Sequence, residues 1–228
     1  MPLSRRARLM LVAPVALLAA LAPASAPSPA QAMLPSSLVL DDAARRELRR
    51  LEEYYNGVRT LKARFIQASS NGQQAHGRVY LSRPGRLRIE YDPPPPVLIV
   101  ADGSFLIYND RGLDQVSYLP LGATPAGILL ADRVSLDDPA LTVVDFTDDG
   151  SRLRLSLVRT DTPGEGTLTM VFHKDPLSLA EWEVTDAQGI TTQVSLIDPQ
   201  FGVALDQGLF QFRNPRLPGP GEFPSERP

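Results

Sequence analysis

The stretch Gly77-Arg78-Val79-Tyr80-Leu81-Ser82-Arg83-Pro84-Gly85-Arg86-Leu87-Arg88-Ile89-Glu90-Tyr91 reads as two strands and a turn. Gly77, Val79 and Leu81 alternate with Arg78, Tyr80 and Ser82; Leu87, Ile89 and Tyr91 alternate with Arg86, Arg88 and Glu90. Successive side chains of a strand point to opposite faces, so each run has one apolar and one polar side. Arg83-Pro84-Gly85 supplies the turn between them.

The same rhythm continues on both sides. Leu61, Ala63 and Phe65 alternate before the Asn71-Gly72 hairpin turn. Pro93 to Pro96 cannot join a ladder and are read as an extended crossing or an edge. Val97 to Ala101, Phe105 to Tyr108 and Gln115 to Tyr118 follow, separated by Asp102-Gly103 and Asp110-Arg111-Gly112. Val143 to Phe146, the Leu153/Leu155/Leu157 row, Leu168/Met170/Phe172, Ala180/Trp182/Val184 and Ile190/Thr192/Val194/Leu196 extend the meander. Roughly ten or eleven strands joined by short turns predict antiparallel connection in a mainly β, α+β chain.

Helical spacing occurs in two places. Ala44, Leu48, Leu51, Tyr55 and Val58 share one helix face, with Asp41 and Asp42 at the start and Asn56-Gly57 as a left-handed stop. Arg45, Arg46, Arg49 and Arg50 cover its solvent side. Thr124 to Ala131 is a short helix, apolar almost all round, with Thr124 as N-cap and Pro125 at its first position. Asp206 to Phe210 is read as a further short helical turn.

The ends are read as address and tail. Arg5, Arg6 and Arg8 precede an apolar run from Leu9 to Leu21, and Ala30-Gln31-Ala32 offers a small-residue cleavage site. Residues 1–32 are therefore expected to be a cleaved signal peptide, residues 33–39 a flexible lead, residues 40–214 one domain, and residues 215–228 a proline-rich disordered tail. Cleavage would remove three arginines and no acid, taking Lys+Arg from 23 to 20 against 26 Asp+Glu, a net charge of −6. So acidic a chain is a poor nucleic-acid binder.

Composition removes most chemistry. Without cysteine there is no disulfide, thiolate nucleophile or lipidated cysteine, and His76 and His173 are the only histidines, too few for a histidine metal centre. The chain carries no G-x-S-x-G, H-E-x-x-H or P-loop; Gly164-Glu165-Gly166 lacks a third glycine, and His173-Lys174-Asp175 sits at a turn. No enzyme activity, cofactor or metal is expected. The apolar stripes either pack into a sealed core or, if the sheet curls, line a pocket; periodicity alone leaves both open.

The helix Asp42 to Tyr55, Thr60-Leu61-Lys62-Ala63-Arg64-Phe65-Ile66-Gln67, the Gly77–Tyr91 stretch, Ile99-Val100-Ala101-Asp102-Gly103, Trp182-Glu183-Val184-Thr185-Asp186-Ala187-Gln188-Gly189 and Leu209-Phe210-Gln211-Phe212 together resemble the periplasmic outer-membrane lipoprotein carriers of the LolA family. The resemblance covers about residues 42–214 in order. It implies an unclosed antiparallel β-barrel of about 11 strands with an N-terminal helix and a short apolar lid over a hydrophobic cavity. It also implies a periplasmic carrier; a monomer is expected, since transfer exposes one mouth to one partner at a time. Such a carrier receives acylated lipoproteins from an inner-membrane ABC transporter and gives them to an outer-membrane receptor.

The resemblance assigns Arg83 the lid lock, with acceptors near Leu129, Leu130 and Ala131. The acyl chains are then expected against Phe65, Val79, Leu81, Leu87, Ile89, Tyr91 and Val100 on the first half of the sheet. Leu106, Tyr108, Tyr118, Ile128, Leu155, Met170 and Trp182 complete the expected lining. Two other readings use the same fold: a lipoprotein-sensing regulator, expected to carry a further domain, and a carrier of another lipid.

Overall fold

Eleven strands form one antiparallel sheet in a computed structural model whose described residues are 40–94 and 97–214. The expected signal segment, lead and tail, and Pro95 and Pro96, lie outside these residues. α1 (Asp42–Gly57) comes first, then β1 (Thr60–Ser69), β2 (Gln74–Ser82), β3 (Arg86–Tyr91), β4 (Val97–Asp102), β5 (Phe105–Asp110) and β6 (Gln115–Pro120). The short helix α2 (Pro125–Leu129) follows, then β7 (Leu141–Asp148), β8 (Arg152–Arg159), β9 (Gly166–Lys174), β10 (Leu177–Asp186) and β11 (Thr191–Phe201).

The spatial order is β6-β5-β4-β3-β2-β1-β11-β10-β9-β8-β7. Two meanders are thus welded where β1 pairs with β11, and the free edges are β6 and β7, which follow each other in sequence. β6 and β7 do not pair, so the barrel is unclosed. The segment joining the two edges carries α2. Pro93 and Pro94 lie in the link between the neighbouring strands β3 and β4, so the proline run serves a local connection and not an edge.

One apolar cluster gathers Leu61, Val79 and Leu87 from the first meander with Leu155, Met170 and Trp182 from the second. Strands so far apart in the sheet share a core only if the sheet curls around it; this face is the inner one. Ile128, Leu129 and Leu130 from the lid and Leu48, Leu51 and Tyr55 from α1 belong to the same cluster. Tyr54 and Tyr55 meet Phe172 edge-on, with ring centroids 6.0 and 6.4 Å apart.

Local structure follows the sequence with instructive exceptions. Asp41 caps α1 by accepting from the Ala44 N–H at 2.7 Å. The expected left-handed stop does not form: Gly57 stays in the helix, extended Val58 ends it, and Asn56 is engaged elsewhere. Thr124 precedes α2, but its hydroxyl donates back to the Leu121 carbonyl at 2.8 Å and caps nothing. The turn at Gln207–Phe210 forms, capped by Asp206. A bulge between Leu179 and Glu181 breaks the expected Ala180/Trp182 alternation and brings Leu179 to the inner face beside Trp182.

The outer face carries the charges and the chain's return. Arg154 pairs with Glu183, Arg88 with Glu90 and Arg64 with Asp92. The final described segment crosses β3 on this side, where Arg88 donates to the Leu209 carbonyl at 3.0 Å.

Candidate functional site

The site is the underside of the lid and the sheet face that it covers. Crossing between two free edges forces segment 121–140 over the inner face. Pro125 presets the first turn of α2, and Ile128, Leu129 and Leu130 drop into the core at 3%, 1% and 1% exposure. Burying three such side chains is worth roughly 5–9 kcal/mol before the cost of ordering the segment. The lid therefore fills the hollow that it covers. Two surface grooves, one lined by Arg86, Gln207 and Phe212 and one by Arg49, Glu53 and Arg133, lie outside it.

Arg83 sits beneath the far end of the lid and is 5% exposed. Its Nε donates to the Ala131 carbonyl at 2.8 Å and one terminal nitrogen to the Asp132 carbonyl at 3.3 Å. The other terminal nitrogen donates to the carbonyls of Tyr55 and of Val58, the latter at 3.2 Å. These four acceptors are carbonyls of the lid and of the end of α1, so the guanidinium joins both to the β2–β3 turn. Its carbon lies 4.3 Å from the centre of the Tyr55 ring. Burial lowers the guanidinium's pKa, and Tyr55 acts in the opposite direction.

The turn itself joins in. Gly85 takes φ +77°, a conformation that glycine adopts without strain. Its N–H reaches the Leu130 carbonyl at 2.8 Å. The Tyr55 hydroxyl donates to the Leu129 carbonyl at 2.6 Å, and burial pushes its pKa well above the ordinary tyrosine range. The three acceptors foreseen at 129, 130 and 131 are thus all used, but only Ala131 by Arg83 itself.

Sequence reasoning missed the rest of the clasp. Asn56 pairs with both backbone groups of Val134, donating to its carbonyl at 2.8 Å and accepting from its N–H at 2.9 Å. Glu52 accepts from the Leu136 N–H at 3.0 Å, and Arg59 pairs with Asp132 at 2.7 Å. Residues 52, 55 and 56 follow helical spacing along the end of α1, and Arg59 lies just beyond it. The spacing was visible, but the partners are about eighty residues away.

Most of the foreseen lining does share the inner face. Phe65, Val79, Leu81, Leu87, Ile89, Leu155, Met170 and Trp182 belong to the core cluster, and Tyr91 and Leu106 pack against it. Tyr108 pairs with Ile99 on the same face but is 40% exposed at the β5–β6 edge. Burial raises the Tyr91 hydroxyl to about 12, and it donates to Gln67 at 2.7 Å.

Val100 and Tyr118 are not part of this lining. Val100 pairs with Arg88 and Ile107, and Tyr118 pairs with Ile107, so both lie on the outer face. The strand β4 is covered on both sides, and an all-apolar run such as Leu98 to Ala101 hides which residues point inward. Tyr118 instead meets Phe105 and Phe212 edge-on.

Among the described residues, no cluster of three or more His, Asp or Glu could hold a metal, and no helix is long and apolar enough to cross a membrane.

The profile of the family described as "Outer membrane lipoprotein carrier protein LolA" matches residues 56–213. An outer-membrane lipoprotein carrier protein of Methylococcus capsulatus is 31% identical over 175 residues, covering 73% of this chain and 83% of its own. One from Halorhodospira halophila is 31% identical over 192 residues, covering 78% and 86%. A solved LolA superfamily protein from Nitrosomonas europaea gives a weak likeness, with 11% identity and a TM-score of 0.40 over 72% of this chain and 97% of that one. The chain belongs to the LolA family of outer-membrane lipoprotein carriers.

Proposed function

We propose that this protein is a periplasmic carrier that takes the acyl chains of lipoproteins onto its inner face in place of its own lid. In this reading it receives them at the inner membrane from an ATP-driven releasing transporter and surrenders them to a receptor at the outer membrane. It works as a monomer and has no catalytic step. The observation that carries this reading is the nature of the cover. A largely apolar face is closed by a short segment of the same chain, held at one end by a buried arginine whose acceptors are all neutral.

The energetics support an exchange. Each methylene withdrawn from water is worth about 0.8 kcal/mol, so a chain of about sixteen carbons gains roughly 12 kcal/mol. That exceeds what the three lid side chains lose when they are lifted. The lock adds a few hydrogen bonds, enough to keep the empty protein closed and few enough for cargo to overcome. Family membership and the basic and apolar leader at residues 1–32 support the periplasmic assignment.

The test is to incubate the purified protein with membrane vesicles carrying a triacylated lipoprotein, the releasing transporter and ATP. The reading expects the lipoprotein in a soluble one-to-one complex with this protein. A lipoprotein that stays in the vesicles, while an authentic carrier releases it, would contradict the reading.

A further inference from the structure

The lid has a second arginine beneath it, half-buried, whose Nε has no acceptor. Leu153, Leu155 and Leu157 of β8 point into the core, and Arg159 continues the same row, opposite Leu141 of β7, which packs against the core. It lies under the first turn of the lid: a Cβ built on Gly127 would stand 3.0 Å from an Arg159 terminal nitrogen and 2.5 Å from the Leu121 carbonyl. The Leu121 carbonyl sets the requirement for a residue without a side chain here, and the guanidinium lies against the same position. The Arg159 Nε is buried and has no hydrogen-bond partner. No carboxylate forms an ion pair with Arg159 among the described residues, although Asp161 and Glu165 are near in sequence and exposed. Glu165 accepts from Thr162 instead.

A buried N–H without an acceptor is destabilising, and a leucine or methionine at this position would continue the apolar row without that cost. Arg83 shows what the fold does with an arginine meant for its own lid: it surrounds the side chain with carbonyls. Arg159 is the opposite case, a charged fork at the end of an apolar row with its buried Nε unspent. A guanidinium remains protonated and matches paired oxygen acceptors in geometry. We propose that Arg159 is a polar subsite for the head end of the cargo's acyl chains, binding the oxygen acceptors where the hydrocarbon ends. Those oxygens belong either to a fatty carboxylate or to the ester carbonyls of a glyceryl-linked pair. The proposal rests on the acyl-carrier reading and adds to it a direction: chains lie with their oxygen-bearing ends under the first turn of α2.

The test uses the full-length protein and three probes: hexadecanoate, hexadecanol, and a dipalmitoyl glycerol that carries ester carbonyls but no charge. Binding is compared between wild type, Arg159→Met and Arg159→Lys. The expected result is that Arg159→Met weakens hexadecanoate, the diacylglycerol or both by about 10- to 100-fold, the range of a charge-assisted hydrogen bond. Hexadecanol, with a single neutral hydroxyl as its acceptor, should lose least, and Arg159→Lys should recover part of the loss. Loss confined to hexadecanoate identifies the carboxylate as the ligand, and loss that includes the diacylglycerol identifies the ester carbonyls. Melting temperatures should not fall in Arg159→Met, since no bond within the protein is removed. Equal affinities of wild type and Arg159→Met for hexadecanoate and the diacylglycerol would overturn the subsite and leave the carrier reading standing. Failure of wild type to bind any of the three would overturn both.

Discussion

The two ends of the lid are fastened by different physics. The far end, residues 129–136, is held by directional bonds: Arg83 to Ala131 and Asp132, Tyr55 to Leu129, Gly85 to Leu130, Asn56 to Val134 and Glu52 to Leu136. The near end, around Pro125 to Ile128, is held by apolar burial and lies over an arginine that bonds nothing through its Nε. Directional bonds fail abruptly when one geometry is lost, whereas apolar contact can be exchanged for other hydrocarbon without loss. The difference teaches a division of labour. The far end decides whether the lid is shut, and the near end and centre decide what can replace it.

The largest effect should come from attacking the exchangeable part. Leu129→Asp places a carboxylate at a site 1% exposed and should disfavour closure by about 3–5 kcal/mol. Hydrogen exchange at the Leu130 and Ala131 amides, now bonded to Ala126 and Ile128, should rise sharply; unchanged protection would mean that Leu129 is not part of a closing surface. Arg83→Leu should come next, at about 2–3 kcal/mol, raising the open fraction roughly 30- to 150-fold while leaving the sheet's melting transition intact. If an apolar fluorescent dye binds this variant no better than wild type, the far end is not a lock.

Asn56→Ala should open the lid by about 1–2 kcal/mol, because both backbone groups of Val134 lose a partner. Its exchange signature should be confined to residues near 134, and a uniform rise across α2 would show that the two ends are not separable. Tyr55→Phe should be smallest, about 1 kcal/mol. It also has a pH signature. Burial raises the Tyr55 pKa above its ordinary 10.0, so the protonated hydroxyl favours the folded state. That stability is present below pH 10 and is lost as pH rises past it, because the unfolded chain ionises first. Tyr55→Phe should flatten part of the alkaline decline; Tyr54, Tyr91 and Tyr108, also raised, remain to supply the rest. Identical alkaline profiles for variant and wild type would remove Tyr55 from the account.

How legible this was in the chain depends on the range of the interaction. The strands were readable because a period of two is a local signal, and Leu61/Ala63/Phe65 and Leu87/Ile89/Tyr91 do face inward together. The lid was readable because an all-apolar turn such as Ile128-Leu129-Leu130 has to be covered. Asn56 was not, because asparagine before glycine signals a helix stop locally, and a pairing with Val134 overrode it. Val100 was misplaced because a strand covered on both faces has no polar side to give its phase. Arg159 left no signal at all: its meaning is the absence of a partner, which only the packed structure reveals.

The central claim, that acyl chains replace the lid on the inner face, can be tested with the chain's single tryptophan. Trp182 lies on that face, paired with Met170 and Val194 and 4% exposed. Hexadecanoate brominated along its chain quenches tryptophan only at close contact, so titrating it into the purified protein reads occupancy directly. The account predicts saturable quenching of Trp182 at one set of sites, strengthened in Arg83→Leu. A brominated chain that binds stoichiometrically and leaves Trp182 fluorescence unchanged would place the cargo elsewhere and contradict it.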